Sequence, residues 1–367
     1  MNILIYSPNN LRAADQQAQA ELLISLGHKV FLLTWLPEGV LHKNFKALGA
    51  SVSSSSSARG RSIFYFINQA GYLARFCKRN KIDIVFSHLQ SNAVVAGMAK
   101  YFIKSRIIYM RHNSDYFTLN SSVKSSILNK LANLLSPEII AISNNVKEEL
   151  IKEGVADKKI HRINLCYNFA HYETERKYNS EVIRQQYQAE LVMVCVARLD
   201  ALKRHLMAFE VTRQLCAEGF DCKLVCIGDG PYKEVLKQWI ADYAMQTKII
   251  LEGFVSNVFD YLQASDLLLL LSSSEASSHA VKEAGICDKP AIVCNRVGDF
   301  GDYIIHQENS YLVNKENPVN ETVVLLRHLI KNQAELEKAG LKLHKNIEEK
   351  FGIENVKKQY LKLINLK

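Results

Sequence analysis

Apolar residues fall along this chain in short unbroken runs, separated by longer stretches with helical spacing. The runs in the first half are Asn2–Tyr6, Lys29–Thr34, Ile82–Ser87, Arg106–Tyr109, Ile139–Ser143 and Ile160–Asn164. Runs of this length and composition predict strands buried on both faces. Helices are predicted between most of them. One, Gln16–Leu26, stops at Gly27, the residue type that most easily takes the left-handed conformation beyond a helix end. Such alternation builds a parallel sheet covered on both faces. Ser53–Ser57 and the Ala-Arg-Gly-Arg that follows are of low complexity and predict a mobile loop.

After Asn164 the pattern breaks. His171–Gln188 is polar with no convincing strand, which predicts a linker. Alternation resumes with Leu191–Val196, Cys222–Ile227, Ile249–Leu251, Leu267–Leu271 and Ala291–Cys294, and Ile353–Leu366 reads as a terminal helix. The chain thus predicts an α/β protein of two Rossmann-like halves. Ligands of such sheets bind beyond the carboxyl ends of the strands, and two halves facing each other would make a cleft.

The loops of the second half carry chemistry where that rule wants it. Leu191–Val196 is followed by Arg198 and Lys203, Cys222–Ile227 by Gly228-Asp229-Gly230-Pro231, and Ile249–Leu251 by Glu252-Gly253-Phe254-Val255. Leu267–Leu271 leads into Ser272-Ser-Ser-Glu275-Ala-Ser-Ser-His-Ala-Val-Lys-Glu283-Ala284. Residues eight apart on one helix differ by roughly 80° in direction, so Glu275 belongs in the loop and Glu283 on the helix. Ser277 and Ser278 then stand where an N-cap belongs. Free N–H groups at a helix start favour phosphate, and flanking acids suit sugar hydroxyls. A surface helix with two solvated acids accounts for the same stretch, and a Gly-Asp-Gly-Pro turn alone is a common turn. The ordered series at four strand ends is far more specific. A guanidinium and a lysine past one strand end can clamp a diphosphate.

Composition narrows the classes. With 367 residues and 48% apolar content, two domains can each bury a core. Met1 leads directly into a strand pattern with no basic start or cleavage site, which argues against secretion, and no apolar run reaches ~18 residues, the length that spans a bilayer. The eight cysteines form no C-x-x-C and read as reduced core thiols of a cytosolic protein rather than a zinc site. Charge is uneven. Residues 1–180 hold 23 Lys/Arg against 12 Asp/Glu, and residues 181–367 hold 23 against 25. A basic half suggests an anionic partner, although an excess of solvating lysines also accounts for it. No nucleic-acid motif is present, so nucleic acid is not expected. One helical stretch, Phe64 to Lys81, starts aromatic and ends in Arg75, Lys78, Arg79 and Lys81. It fits an anionic membrane surface, and better a helix with a buried face and dipole-complementing cations.

With these motifs in order, the sequence resembles the retaining glycosyltransferases of family 4, which have the two-domain GT-B fold. Arg198 and Lys203 match that family's Arg-x4-Lys. The Gly228–Pro231 turn, Gly253-Phe254-Val255, and Glu275-x7-Glu283 followed by Lys289-Pro290-Ala-Ile-Val also match, as do Gly27-His28-Lys29-Val30 and Ser143-x3-Lys147 in the first half. The resemblance implies a Rossmann-like acceptor domain over 1–175 and a nucleotide-sugar donor domain over 188–345. A terminal helix over 350–367 would pack back toward the first. It implies that Arg198 and Lys203 bind the donor diphosphate, that Glu283 holds the ribose, and that Glu275 touches the transferred sugar. Gly228, Gly230, Phe254, Ser277, Ser278 and His279 would complete the donor site. His112 would be an active-site histidine, where a lone histidine after a strand is otherwise a packed or capping residue. Asn9, Asn10 and Arg12 would lie on the acceptor side.

Three departures bear on specificity. Arg12-Ala13-Ala14 stands where the family has a Gly-Gly, so the first loop approaches a phosphate less closely. Glu275-Ala-Ser277-Ser278 replaces Glu-Gly-Phe-Gly, and Asp302 stands near a further family Glu. The expected activity is transfer from a nucleoside-diphosphate sugar to a glycan or lipid-linked acceptor in bacterial surface polysaccharide or glycolipid synthesis. The expected place is the cytoplasm, peripheral to the membrane. No Asp-x-Asp occurs in the chain, so no metal or other cofactor is expected. The competing class is a non-catalytic sugar-nucleotide binding protein or partner subunit on the same scaffold. An epimerase or phosphorylase would need another site context, and a periplasmic binding protein an export signal.

Overall fold

The computed structural model describes all residues except 12, 56–59, 61, 113–122, 171–178 and 367. The chain divides into two compact units, one of 1–168 with 351–367 and one of 169–350. The first contains the strands β1 (Asn2–Ser7), β2 (Lys29–Thr34), β3 (Ser51–Ser54), β4 (Ile84–His88), β5 (Arg106–Arg111), β6 (Glu138–Ala141) and β7 (Ile160–Arg162). They form one parallel sheet in the order β3-β2-β1-β4-β5-β6-β7. The second contains β8 (Leu191–Val196), β9 (Cys222–Ile227), β10 (Ile249–Gly253), β11 (Leu267–Leu270), β12 (Ala291–Cys294) and β13 (Tyr311–Val313), parallel in the order β10-β9-β8-β11-β12-β13. Each sheet reverses direction once, beside its first strand, and so has a switch point: β1/β4 in one unit and β8/β11 in the other.

The central strands are unbroken apolar runs because helices cover both of their faces. Ile3, Leu4, Ile5 and Tyr6 are fully buried, as are Leu267, Leu268 and Leu269. Helix Ala14–Ser25 buries Ala18, Ala20, Leu22 and Leu23, and Gly27 ends it with φ of 78° while its N–H bonds Ile24 O at 2.8 Å. Helix Ile353–Ile364 belongs to the first unit, where Tyr360 meets Gln19 (3.1 Å) and Arg106 Nη1 bonds Leu363 O (2.8 Å).

Several expectations need correction. Ser53 and Ser54 are in β3, an edge strand that pairs only with β2; 56–57 lie outside the described residues. The linker expected over His171–Gln188 contains a helix, Ser180–Gln186, anchored by buried Ile183 and by Arg184, which meets Asp266 at 2.9 Å; 171–178 lie outside the described residues. Strand β4 begins at Ile84, since Ile82 still bonds the preceding helix through Cys77 O at 3.0 Å. The aromatic-to-basic stretch is helix Ile63–Asn80, capped by Ser62. Its Tyr65, Phe66, Tyr72 and Phe76 pack on the core, while Ile63, Phe64 and Ile67 are exposed. Among the described residues no helix is long and apolar enough to cross a membrane.

Candidate active site

The expected donor residues of the second unit lie in the loops that follow β8, β9, β10 and β11 and on the helix after β11. Asp200 organises the loop after β8. Its Oδ1 accepts from the N–H groups of Leu202 (3.0 Å) and Lys203 (3.3 Å), closing the 3-10 turn Ala201–Lys203. Its Oδ2 receives Arg198 through Nε at 2.8 Å and Nη2 at 2.6 Å, and the Arg198 side chain, 62% exposed, can still reach a ligand. Lys203 Nζ crosses to the loop after β11 and donates to Glu275 Oε1 at 2.6 Å. With exposures of 21% and 10%, this ion pair is largely withdrawn from water.

Backbone bonds lace the loops into one rim. Ser273 N–H donates to Leu202 O (2.8 Å), Leu199 N–H to Asp229 O (3.1 Å) and Gly228 N–H to Gly253 O (2.7 Å). Gly228 and Gly230 are demanded by this lacing. A Cβ would stand 2.1 Å from Ala197 O at Gly228 and 2.3 Å from Leu199 O at Gly230, and Gly228 has φ of +138°. Their residue type is therefore explained by the approach of two loops. Phe254 is 83% exposed, so its ring is open to a planar ligand. The loop after β12 joins the rim through Gly298, which sequence reasoning missed. With φ of +55° it brings its backbone so close that a Cβ would stand 2.7 Å from Glu275 Cβ.

The helix expected after Glu275 is His279–Ile286. Ser278 is its N-cap residue, but no side-chain bond closes the cap, so its hydroxyl does not satisfy the first N–H groups. His279 and Glu283, four residues apart and half-buried, share one side of the helix. The Ser277 hydroxyl, expected at the donor, belongs to a half-buried residue and has partners within the protein. It donates to Asp299 Oδ2 at 2.7 Å and accepts from Lys282 Nζ at 2.9 Å. Lys282 also bonds Asp299 Oδ2 at 2.6 Å and Ser278 O at 3.1 Å, and both charged side chains are fully buried. Burial pushes the Lys282 ammonium below the usual lysine range, opposed by the charge of Asp299 and then of Glu275 and Asp302. A buried cation at position 282 was not expected from the apolar look of the helix.

The first unit has its own group of polar side chains at the β1/β4 switch point. His88 ends β4, His112 follows β5, and Asp15 lies in the first turn of helix Ala14–Ser25. His88 Nδ1 and His112 Nε2 are 2.9 Å apart, and His112 Nδ1 lies 3.6 Å from Asp15 Oδ2. His88 Nε2 meets Gln19 Oε1 at 2.9 Å. Burial pushes His88 down to about 3, with His112 adding to the shift, and burial also lowers His112 against the pull of Asp15. Sequence reasoning named only His112. Asp15, His88 and His112 offer ligand atoms within 4.8 Å of one another, close enough to consider a metal ion. The 2.9 Å contact between the two facing ring nitrogens fits a shared hydrogen and leaves little room for an ion. Asn10 donates its amide to Pro37 O at 2.9 Å, tying the first loop to the one after β2. Asn9 is half-buried in the same loop, and Arg12 lies outside the described residues.

Two doubly wound parallel sheets, each with its chemistry at the switch point, make up the fold of the GT-B glycosyltransferases. The family model described as Glycosyltransferase Family 4 matches residues 17–169, and that described as Glycosyl transferases group 1 matches 179–350. The chain belongs to this family and is a glycosyltransferase. It is similar to N-acetyl-alpha-D-glucosaminyl L-malate synthase of Bacillus anthracis, 25% identical over 81% of this chain and 78% of that protein. It is also similar to alpha-monoglucosyldiacylglycerol synthase of Acholeplasma laidlawii, 27% identical over 84% and 81%. Among solved structures, Anabaena HepE in complex with UDP superposes with a TM-score of 0.84 over 99% of both chains at 15% identity, a likeness of fold.

Proposed function

We propose that this glycosyltransferase moves a sugar, with retention, from a nucleoside-diphosphate sugar to a glycan or lipid-linked acceptor in bacterial surface polysaccharide or glycolipid synthesis. The observation that carries the proposal is the Lys203–Glu275 pair, 2.6 Å apart at the β8/β11 switch point beside Arg198. Breaking the sugar–phosphate bond leaves new negative charge on the diphosphate, and cations already in place there act most strongly in the transition state. Lys203 and Arg198 supply that charge. Glu275, held by Lys203 and walled by Gly298, accepts from hydroxyls of the transferred sugar. Glu283 holds the ribose, the N-terminus of helix His279–Ile286 faces phosphate, and Phe254 stacks on the base. For an α-linked donor, retention is supported by the α configuration in the products for which both relatives are named. The acceptor attacks from the face the diphosphate leaves, and a phosphate oxygen takes its proton. A non-catalytic binding subunit would have no need of a largely buried cation–carboxylate pair.

With the diphosphate charge met by side chains, turnover is expected to need no divalent cation. Proton NMR of a reaction run in chelator with a panel of nucleotide sugars should show an α-linked product. Turnover restored only by magnesium or manganese would overturn the metal-free reading, and a β-linked product the retaining one.

An anionic membrane surface is the proposed further partner of the first unit. Lys78, Lys81 and Lys104 surround a hollow of about 590 Å³ beside Tyr101 and Phe102, which are 75% and 65% exposed. Exposed aromatics among cations suit a headgroup layer, each cation contributing ~1 kcal/mol. The protein is expected to sediment with anionic vesicles at low salt and to release as ionic strength rises. Equal partition to neutral vesicles, or no change on replacing Arg75, Lys78, Arg79 and Lys81 by Gln, would remove the claim.

A further inference from the structure

We propose that His88 is a positioning residue that locks His112 in its Nε2–H tautomer, so that His112 presents Nδ1 as a hydrogen-bond acceptor beside Asp15. The inference rests on the proposed glycosyl transfer and on the expectation that His112 is an active-site histidine. Gln19 lies at the far end of the network. Gln19 Nε2 lies 3.1 Å from Tyr360 Oη and 3.6 Å from Met110 Sδ. A thioether sulfur can only accept, so the amide atom facing it is the NH2 group. Gln19 Oε1 therefore faces His88 Nε2 at 2.9 Å, and the hydrogen in that contact belongs to His88.

His88 is 1% exposed, and burial holds it neutral. A neutral imidazole has one N–H, already given to Gln19, so its Nδ1 must accept. The group 2.9 Å from that Nδ1 is His112 Nε2, which must then donate. The remaining nitrogen of His112 is Nδ1, with its lone pair directed to the side where Asp15 Oδ2 stands 3.6 Å away. A substrate hydroxyl arriving at Nδ1 can donate its hydrogen to that lone pair. The two rings meet edge to edge, with centroids 5.1 Å apart and planes 27° apart, so His88 also fixes the tilt of His112. The polarity runs in one direction from Gln19 to Nδ1 of His112. A histidine in the wrong tautomer presents an N–H where an acceptor is needed, a fault that can cost orders of magnitude in rate.

The test is long-range proton–nitrogen NMR of the full chain with labelled histidine, together with turnover of three variants. His88 and His112 are both expected to be protonated at Nε2 and bare at Nδ1. His88→Phe keeps a flat ring but cannot accept. It should mix the His112 tautomers and lower kcat roughly 10²-fold, with little change in the donor KM. His88→Asn, whose amide oxygen takes the place of Nδ1, should keep most of the turnover although it packs less well. Gln19→Leu should mix the tautomers without touching either ring. An Nδ1–H signal on His112 in the wild type overturns the lock. Full turnover in His88→Phe, or loss in His88→Asn equal to that in His88→Phe, overturns the positioning role. If the NMR is as expected but His112→Ala turns over normally, the tautomer assignment stands and its use in the reaction is overturned.

Discussion

Replacing Lys203 by alanine is expected to lower transfer roughly 10²–10³-fold, the scale on which one preorganised transition-state partner acts. Asp200 holds the backbone of Lys203 through two N–H bonds, so the ammonium sits on a fixed turn rather than on a free arm. Its bond to Glu275, 2.6 Å long, links the diphosphate side of the rim to the sugar side. The alanine variant loses the cation and leaves Glu275, 10% exposed, without it. Arg198→Ala is expected in the same range, because Arg198 is the second cation past the same strand. Because the two act on one leaving group, their effects should not simply multiply. Steady-state kinetics on folded variants decide this, and near-native turnover in Lys203→Ala would sink the diphosphate clamp.

Lys282→Met is expected to be the most destabilising single change in the second unit. Lys282 and Asp299 are both fully buried and 2.6 Å apart. Removing one member leaves a carboxylate in the interior with only the Ser277 hydroxyl donating to it. Breaking a buried pair in this way costs roughly 3–5 kcal/mol, which for a unit of this size corresponds to a Tm lower by about 10 °C. The pair itself is a different matter. Its mutual attraction mostly offsets the cost of taking both charges out of water, so Lys282→Met with Asp299→Leu should recover much of the lost Tm. Thermal melts followed by circular dichroism test both statements. A single variant as stable as the wild type would mean that the charge is not buried, and a double variant no better than the single would remove the pairing argument.

The cores of both sheets could be read from the chain because a strand covered on both faces must be apolar throughout. The edges could not. β3 is Ser-Val-Ser-Ser and pairs on one side only, so nothing in its composition sets it apart from a loop. β13 is three residues at the other sheet's edge. Helix Ser180–Gln186 is held by one buried side chain, Ile183, too few for a periodic pattern to appear. The donor rim was legible because each of its residues follows its own strand directly. Asp15, His88 and His112 come from three separate segments, and only the order β1-β4-β5 makes those segments neighbours. The fate of Ser277 was likewise hidden. Its partners Lys282 and Asp299 lie five and 22 residues away and meet only when the loop after β12 folds against helix His279–Ile286. In place of the Gly-Phe-Gly usual in the family, this chain has a hydroxyl tied into a buried ion pair.

Calorimetric titration of nucleoside diphosphates into the wild type, Lys203→Ala and Glu283→Ala, all in chelator, tests most directly that the β8/β11 rim is the donor site. The account predicts that one nucleoside diphosphate binds the wild type without metal and that both variants bind it at least about tenfold more weakly, a loss of ~1.4 kcal/mol. Equal affinity for all three proteins would place the nucleotide elsewhere and contradict the account.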